Sequence, residues 1–311
     1  MKIENVVIIG AGMMGRGIAQ VLSSCKDLQI TLYDFNNGGV LEGIKELFTQ
    51  LQERGILTSE EVAGRLERIS FTTNFDDDCF ASADFVVECV FEDMEIKQNL
   101  FAQLEGKCRR DTIFATNTSV MSPTEISAKI KYKERLVGTH FWNPAYLIPL
   151  VEVVKSDYTD VKVVEATIQL LTECGKKPIY CKKDVPGFVA NRLQHALWRE
   201  AFYMVQEGIA DPKTVDDACK YGPGLRWPVL GPMENSDMVG IQLTYNIHDY
   251  ILEHLADNHR PSPLLKEMLD RGDQGFKSGK GWQEWTKEQA DASTAGLREY
   301  LIDHMANAAK E

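Results

Sequence analysis

Basic residues are in short supply in this chain: 34 lysines and arginines face 46 aspartates and glutamates, leaving a formal charge of −12. A nucleic-acid or anionic-membrane surface needs a basic patch, so neither partner is expected. No apolar run reaches transmembrane length, and the opening MKIENVVIIGAG has no long apolar segment followed by a cleavage site. The seven cysteines are scattered without a CxxC pair, and an odd count with no expected leader reads as reduced thiols in the cytoplasm. The six histidines never form HExxH, so no metal is expected. Internal repeats, low-complexity tracts and long runs of one charge are missing too. What is there is 311 residues of ordinary globular composition, 44% hydrophobic and 26% charged, enough for two domains.

Residues 6–9 form a four-residue apolar run that reads as a strand, and Gly10-Ala11-Gly12-Met13-Met14-Gly15 follows at once. Helical character begins at Arg16, and residues 30–34 give a second strand ending in Asp34. A GxGxxG on its own is weak. Strand before, helix after and an acid about twenty residues on make it a dinucleotide-binding turn. Gly10 permits the tight turn, Gly12 lets backbone approach a pyrophosphate, and Gly15 lets helix and strand pack. The helix N-terminus offers N–H groups and partial positive charge to phosphate. Asp34 would accept from a ribose hydroxyl. Phe35, Asn36 and Asn37 bring no arginine for a 2′-phosphate, so NAD is expected over NADP.

Further strands are predicted at 69–72, 84–88 and 112–116. Helices are predicted over 40–54, over 59–68 (capped by Ser59 with Glu60 and Glu61), and from 96 to 104. Glu92 and Lys97 lie beyond one strand's carboxyl end; an exposed helix-entry ion pair would explain them equally. The strand at 112–116 delivers Asn117-Thr118-Ser119 to that same edge, where Ser119 also fits a plain turn serine.

Residues 138–152, GTHFWNPAYLIPLVE, carry the strongest hint of chemistry. His140 emerges at a strand end, where open α/β sheets bind ligands. Pro144 and Pro149 bar regular structure between them, so the chain turns back into a valine-rich strand interrupted by Glu152. A carboxylate there is costly unless paired, and His140 is the partner that the stretch supplies. Such a pair is general-base machinery. The competing reading is a Glu152 that points to water.

Five ordered motifs carry a resemblance: Gly10 to Gly15, Glu88 to Lys97, Thr116 to Ser119, His140 to Pro144, and KDVPGFVANR at 183–192. In order and spacing the chain resembles the L-3-hydroxyacyl-CoA dehydrogenase family over nearly its whole length. The resemblance implies an NAD-dependent oxidoreductase of fatty acid metabolism with His140 as base and Glu152 as its partner. Ser119 and Asn191 would orient the substrate oxygen, and Asp34, Glu92, Lys97, Ser119 and Asn143 would contact the NAD. It also implies a Rossmann-type doubly wound α/β sheet followed by an all-helical domain that forms a homodimer.

The residues themselves point the same way. A last strand at 177–181 closes the expected NAD-binding domain of residues 1–184, and a helical domain of residues 185–311 follows, to which the resemblance assigns substrate binding and dimerisation. Its helices are predicted from 188 onward, over 238–255, 263–271 and 294–308. The segment 221–232 is too rich in glycine and proline for a helix, and the Gly/Lys-rich loop 275–281 reads as a structural turn. The acyl carrier divides two expectations. For a CoA thioester, Lys45 and Arg54 are the basic residues after the second strand. The segments 145–150 and 224–227 look more like the branch holding carnitine dehydrogenase, gulonate dehydrogenase and lambda-crystallin. There a free 3-hydroxy acid would be held by Arg226. A non-enzymatic, crystallin-like NAD-binding protein is a third reading, opposed by the joint presence of His140, Glu152, Ser119 and Asn191.

Overall fold

The computed structural model describes residues 2–308. Eight strands build one sheet: β1 (Asn5–Ile9), β2 (Gln29–Tyr33), β3 (Ile69–Thr72), β4 (Phe85–Glu88), β5 (Ile113–Thr116), β6 (Leu136–Phe141), β7 (Leu150–Val154) and β8 (Lys177–Cys181). Their spatial order is β3-β2-β1-β4-β5-β6-β7-β8. The first six run parallel; β7 pairs antiparallel with β6, and β8 parallel with β7. The order reverses between β1 and β4, the switch point at which such sheets bind ligands.

Period-two alternation explains why the strands read as unbroken apolar runs. Val6 and Ile8 of β1 point into one core with Ile30, Leu32, Phe85 and Val137, while Val7 and Ile9 point into the other with Val86, Phe114 and Leu136. Helices α1 (Met13–Leu22), α2 (Val40–Glu53) and, later in the chain, Val161–Glu173 cover the first face. Between them come α3 (Ser59–Leu66), α4 (Cys79–Ser82), α5 (Met94–Lys107) and α6 (Pro123–Ile126), so Val161–Glu173 is α7. Phe80 of α4, Phe101 and Leu104 of α5 and Ile126 of α6 cover the second face. The cap of α3 is Thr58 rather than Ser59. Its hydroxyl accepts from the Glu61 N–H, and the Glu61 carboxylate accepts from the Thr58 N–H.

The remaining helices are α8 (Ala190–Gln206), α9 (Pro212–Tyr221), α10 (Pro223–Arg226), α11 (Pro232–Val239), α12 (Ile241–Ile251), α13 (Pro263–Arg271) and α14 (Lys287–Ala308). Prolines open helices here instead of preventing them: Pro223 and Pro232 sit in the first turns of α10 and α11, where no N–H is required. The single helix expected over 238–255 is broken at Gly240, whose φ is +98°. The loop 275–281 folds as a small turn with bridges from Lys280 to Gly275 and Glu284.

Two compact units result among the described residues: 2–192 with 298–308, and 193–297. The first continues past the expected boundary at 184 and takes back the chain's end, packing Leu301, Ile302 and Met305 on its core. In the second, no side chain of α9 to α13 is buried. Among the described residues no helix is long and apolar enough to cross a membrane.

Candidate active site

The nucleotide turn links β1 to α1 at the switch point. Gly10 has φ +96°, and a Cβ there would lie 2.6 Å from the Cys89 carbonyl. At Gly15 a Cβ would fall 1.9 Å from the Gly10 carbonyl. Both positions thus need glycine for the protein's own packing. Gly12 differs: nothing lies within 4 Å of its virtual Cβ, and as N-cap of α1 it supplies no side-chain hydrogen bond. The first N–H groups of α1 therefore face open space with their share of helix dipole. Met13 is 70% exposed and Met14 half-buried beside this opening. Asp34, just beyond β2, accepts from the Ala11 N–H at 2.8 Å, which ties the acid to the turn. A pyrophosphate on the Gly12 side and a ribose at Asp34 match this donor and acceptor arrangement, so the residues fit a dinucleotide.

At the ends of β4 and β5 lies a second cluster. Glu88 and Lys97 are buried, with their charges 2.6 Å apart. Glu88 also accepts from Val90 N–H (2.8 Å) and the Thr116 hydroxyl (2.7 Å), so each oxygen has a donor. Lys97 was expected at the cofactor surface but is only 1% exposed; its ammonium lies beneath, 3.2 Å from Glu92. Glu92 is the exposed member, held by Thr118 and by the Ser119 N–H at 2.9 Å. Partial burial raises its pKa, but Thr118, Lys97 and Ser119 outweigh that and keep the carboxyl below its ordinary range. Asn117 is turned to the neighbouring strand, its Oδ1 accepting from Phe141 N–H at 2.9 Å. Ser119 is exposed, and its carbonyl accepts from Asn191 Nδ2 at 3.0 Å, which joins the two residues expected to face substrate oxygen.

The third cluster follows from strand register. In the antiparallel β6–β7 pair, His140 stands directly opposite Glu152. His140 Nδ1 and Glu152 Oε2 are 2.8 Å apart, with His140 5% exposed and Glu152 fully buried. The connection between the strands is pinned by Lys176, whose ammonium donates to the carbonyls of Ala145 and, at 2.8 Å, Ile148. Asn143 is exposed in this connection.

Glu152 has more partners than the pattern suggested. Trp142 Nε1 donates to Oε2 at 3.3 Å, while Oε1 accepts the N–H groups of Val189 (2.8 Å) and Ala190 (2.9 Å) at the start of α8. Burial raises the carboxyl's pKa, but the bonds from His140, Ala190, Val189 and Trp142 together hold it below the ordinary range. Phe188 sits buried against His140, ring centres 5.8 Å apart, with a left-handed φ of +49°. Trp142 and Phe188 carry no sequence signal beyond lying inside the two motifs.

Of the two arginines expected to hold a substrate anion, one is already paired and the other is exposed. Arg54 pairs with Glu299 and lies 3.7 Å from Asp303, both in the returning part of α14. Arg226 is exposed at the end of α10, in the second unit, with no ion pair among the described residues.

Comparison with known proteins gives this geometry a lineage. The 3-hydroxyacyl-CoA dehydrogenase NAD binding domain matches residues 5–185, and that family's C-terminal domain matches residues 187–285. The chain is 34% identical over 303 residues to a 5-formyl-3-hydroxy-2-methylpyridine 4-carboxylate 5-dehydrogenase of Mesorhizobium japonicum, covering 96% of each. A probable 3-hydroxybutyryl-CoA dehydrogenase of Bacillus subtilis is 34% identical, over 93% of this chain and 99% of that one. A crystal structure of a 5-formyl-3-hydroxy-2-methylpyridine 4-carboxylic acid 5-dehydrogenase, described as an NAD+-dependent dismutase, has a TM-score of 0.89 at 33% identity and covers 98% of both chains. With both domain models matched along it, the chain belongs to the 3-hydroxyacyl-CoA dehydrogenase family, and residues 5–185 are its NAD-binding domain.

Proposed function

We propose that the chain catalyses the reversible, NAD-dependent oxidation of a 3-hydroxyacyl-CoA to the 3-oxo compound. The observation that carries this reading is the buried His140–Glu152 pair at the same sheet edge as the Gly10–Gly15 turn. Glu152 fixes the Nδ1–H tautomer of His140 and stabilises the imidazolium. Nε2, with no hydrogen-bond partner among the described residues, then takes the proton of the substrate hydroxyl. When bound, NAD supplies the hydride acceptor. The first turn of α1 would hold its pyrophosphate, Asp34 a ribose hydroxyl, and Glu92, Asn117, Ser119 and Asn143 the nicotinamide half, with Lys97 acting through Glu92. Ser119 and Asn191 would hydrogen-bond the reacting oxygen, which positions the carbinol carbon for transfer.

One observation favours a second reading, in which the substrate is a free carboxylic acid. Arg54, the basic residue assigned to CoA, is already neutralised by Glu299 and Asp303. The experiment is a turnover comparison of acetoacetyl-CoA with free 3-oxo and 3-hydroxy acids at matched concentrations. A higher kcat/KM for the thioester supports the first reading, a higher value for a free acid supports the second, and no turnover of either overturns both. In the free-acid case Arg226→Met should raise KM at least about tenfold, as loss of a charge-assisted pair does.

We also propose that the protein works as a homodimer. Leu225, Val229 and Met233 of the second unit are each more than 70% exposed, within a run of exposed large apolar residues from Tyr221 to Leu255 that a partner surface would cover. A monomer at micromolar concentration in sedimentation velocity would refute this.

A further inference from the structure

Outside the site just described, two thiols meet. Cys25 lies in the loop after α1, and Cys174 caps the C-terminus of α7. Their sulfurs are 2.7 Å apart, within about 0.7 Å of the roughly 2.03–2.05 Å of a disulfide bond. The neighbouring backbone is held in place: the Ser24 hydroxyl donates to the Cys174 carbonyl at 3.1 Å, and the N–H groups of Cys25 and Cys174 are bonded within their own turns. Approach from solvent is open on one side. Cys25 is half-buried and lines a surface cavity of about 340 Å³ with Lys2, Lys26, Asp27 and Glu173, whereas Cys174 is buried.

We propose that Cys25 and Cys174 form a reversible oxidation site, at which a small hydroperoxide converts the two thiols into an intramolecular disulfide joining the ends of α1 and α7. The Cys25 thiolate attacks the hydroperoxide oxygen, the O–O bond breaks, and sulfenic acid forms while the leaving alkoxide takes a proton from water. The Cys174 sulfur then attacks that sulfenic sulfur. The S–S bond forms, the S–O bond breaks, and hydroxide leaves with the Cys174 proton as water. In sum, two thiols give up two electrons and two protons, and the hydroperoxide becomes an alcohol and water. A low-molecular-weight dithiol reverses the change by exchange.

Charge and burial divide the roles. The hydrogen bond from Cys174 lowers the Cys25 thiol, while that same bond and burial push Cys174 up, so Cys25 is the attacking sulfur and Cys174 the resolving one. Burial pushes Cys79 and Cys181 to about 12 and Cys108 to about 11, and Cys89 up as well, so these four offer little thiolate to compete. The cross-link closes a span of 149 residues, which restricts the unfolded chain far more than the folded one. Since the sulfurs already touch, and ten-residue α1 puts about 15 Å between Cys25 and the nucleotide turn, NAD binding is left alone.

The test is oxidation of the full chain with hydrogen peroxide, followed by peptide mapping, thermal melting and NADH titration. The expected result is a Cys25–Cys174 cross-link removed by dithiothreitol, a melting temperature raised by at least about 4 °C, and unchanged NADH affinity. Cys174→Ser should stop at a dimedone-reactive sulfenic acid on Cys25. Cys25→Ser should leave Cys174 unmodified, and neither variant should gain stability on oxidation. Mapping on the unaltered protein decides the matter even if a variant is unstable. A different cysteine pair linked first, no link at all, or a link that lowers stability or NADH affinity would overturn the proposal.

Discussion

Replacing Glu152 with glutamine tests the candidate site most sharply, because the carboxylate is fully buried and its partners are known: His140, Trp142, the N–H groups of Val189 and Ala190 and, at 3.9 Å, the Cys181 thiol. The amide keeps an oxygen for the N–H groups of Val189 and Ala190. It also puts an NH₂ group against His140 Nδ1 and Trp142 Nε1. Nδ1 must then accept, the ring proton moves to Nε2, and the atom that should receive the substrate proton already carries one. An equivalent carboxylate-to-amide change in a Ser-His-Asp triad lowers kcat by about 10⁴, and a loss of roughly 10³–10⁴ is expected here. The Trp142 N–H, deprived of its acceptor, should cost about 1–3 kcal/mol of stability. Steady-state oxidation of NADH by the preferred 3-oxo substrate measures the first effect, and thermal melting the second. NADH affinity should be preserved, since the nucleotide turn does not touch Glu152. Turnover equal to the parent's would refute the pairing argument. A loss of NADH affinity as large as the loss of turnover would show that the substitution had collapsed the site rather than the proton transfer.

The remaining expectations use other parts of the first unit. Gly12→Ala should leave the melting temperature unchanged but weaken NAD binding, whereas Gly15→Ala should destabilise the fold, because only the second Cβ meets protein backbone; calorimetry on both variants separates the two. Lys97→Met orphans the buried Glu88 carboxylate and should cost about 3–5 kcal/mol in chemical denaturation. NADH should bind far more tightly than NADPH, and Asp34→Ala should narrow that gap while weakening NADH itself, since the Ala11 N–H loses its acceptor; equal affinities for the parent would refute it. Glu152, held below the ordinary carboxylate range, contributes its stability fully above the unfolded value of roughly 4.3 and loses it as pH falls through the lower folded value. The stability gap between parent and Glu152→Gln should therefore shrink on acidification, measured by melting across that range.

By itself the sequence determined whatever depends on a few neighbouring residues. The four-residue run 6–9, the glycines after it and Asp34 at the end of β2 define the nucleotide turn, because strand period, helix entry and φ limits act locally. Pro144 and Pro149 force the chain back after β6, and the alternation of side chains along β6 and β7 carries His140 and Glu152 to opposite register positions. Proline misled at 221–232, where its fitness for a helix's first turn outweighed its reputation as a breaker. Only the tertiary structure decided which charges are buried and which partners they meet. Lys97 looked like a surface residue until packing enclosed it with Glu88, and Arg54 looked available until α14 returned with Glu299 and Asp303. Trp142, the N–H groups of Val189 and Ala190, and the meeting of Cys25 with Cys174 have the same origin. Each joins side chains or backbone that local pattern leaves independent, and their distance is set by how helices and strands pack across the sheet.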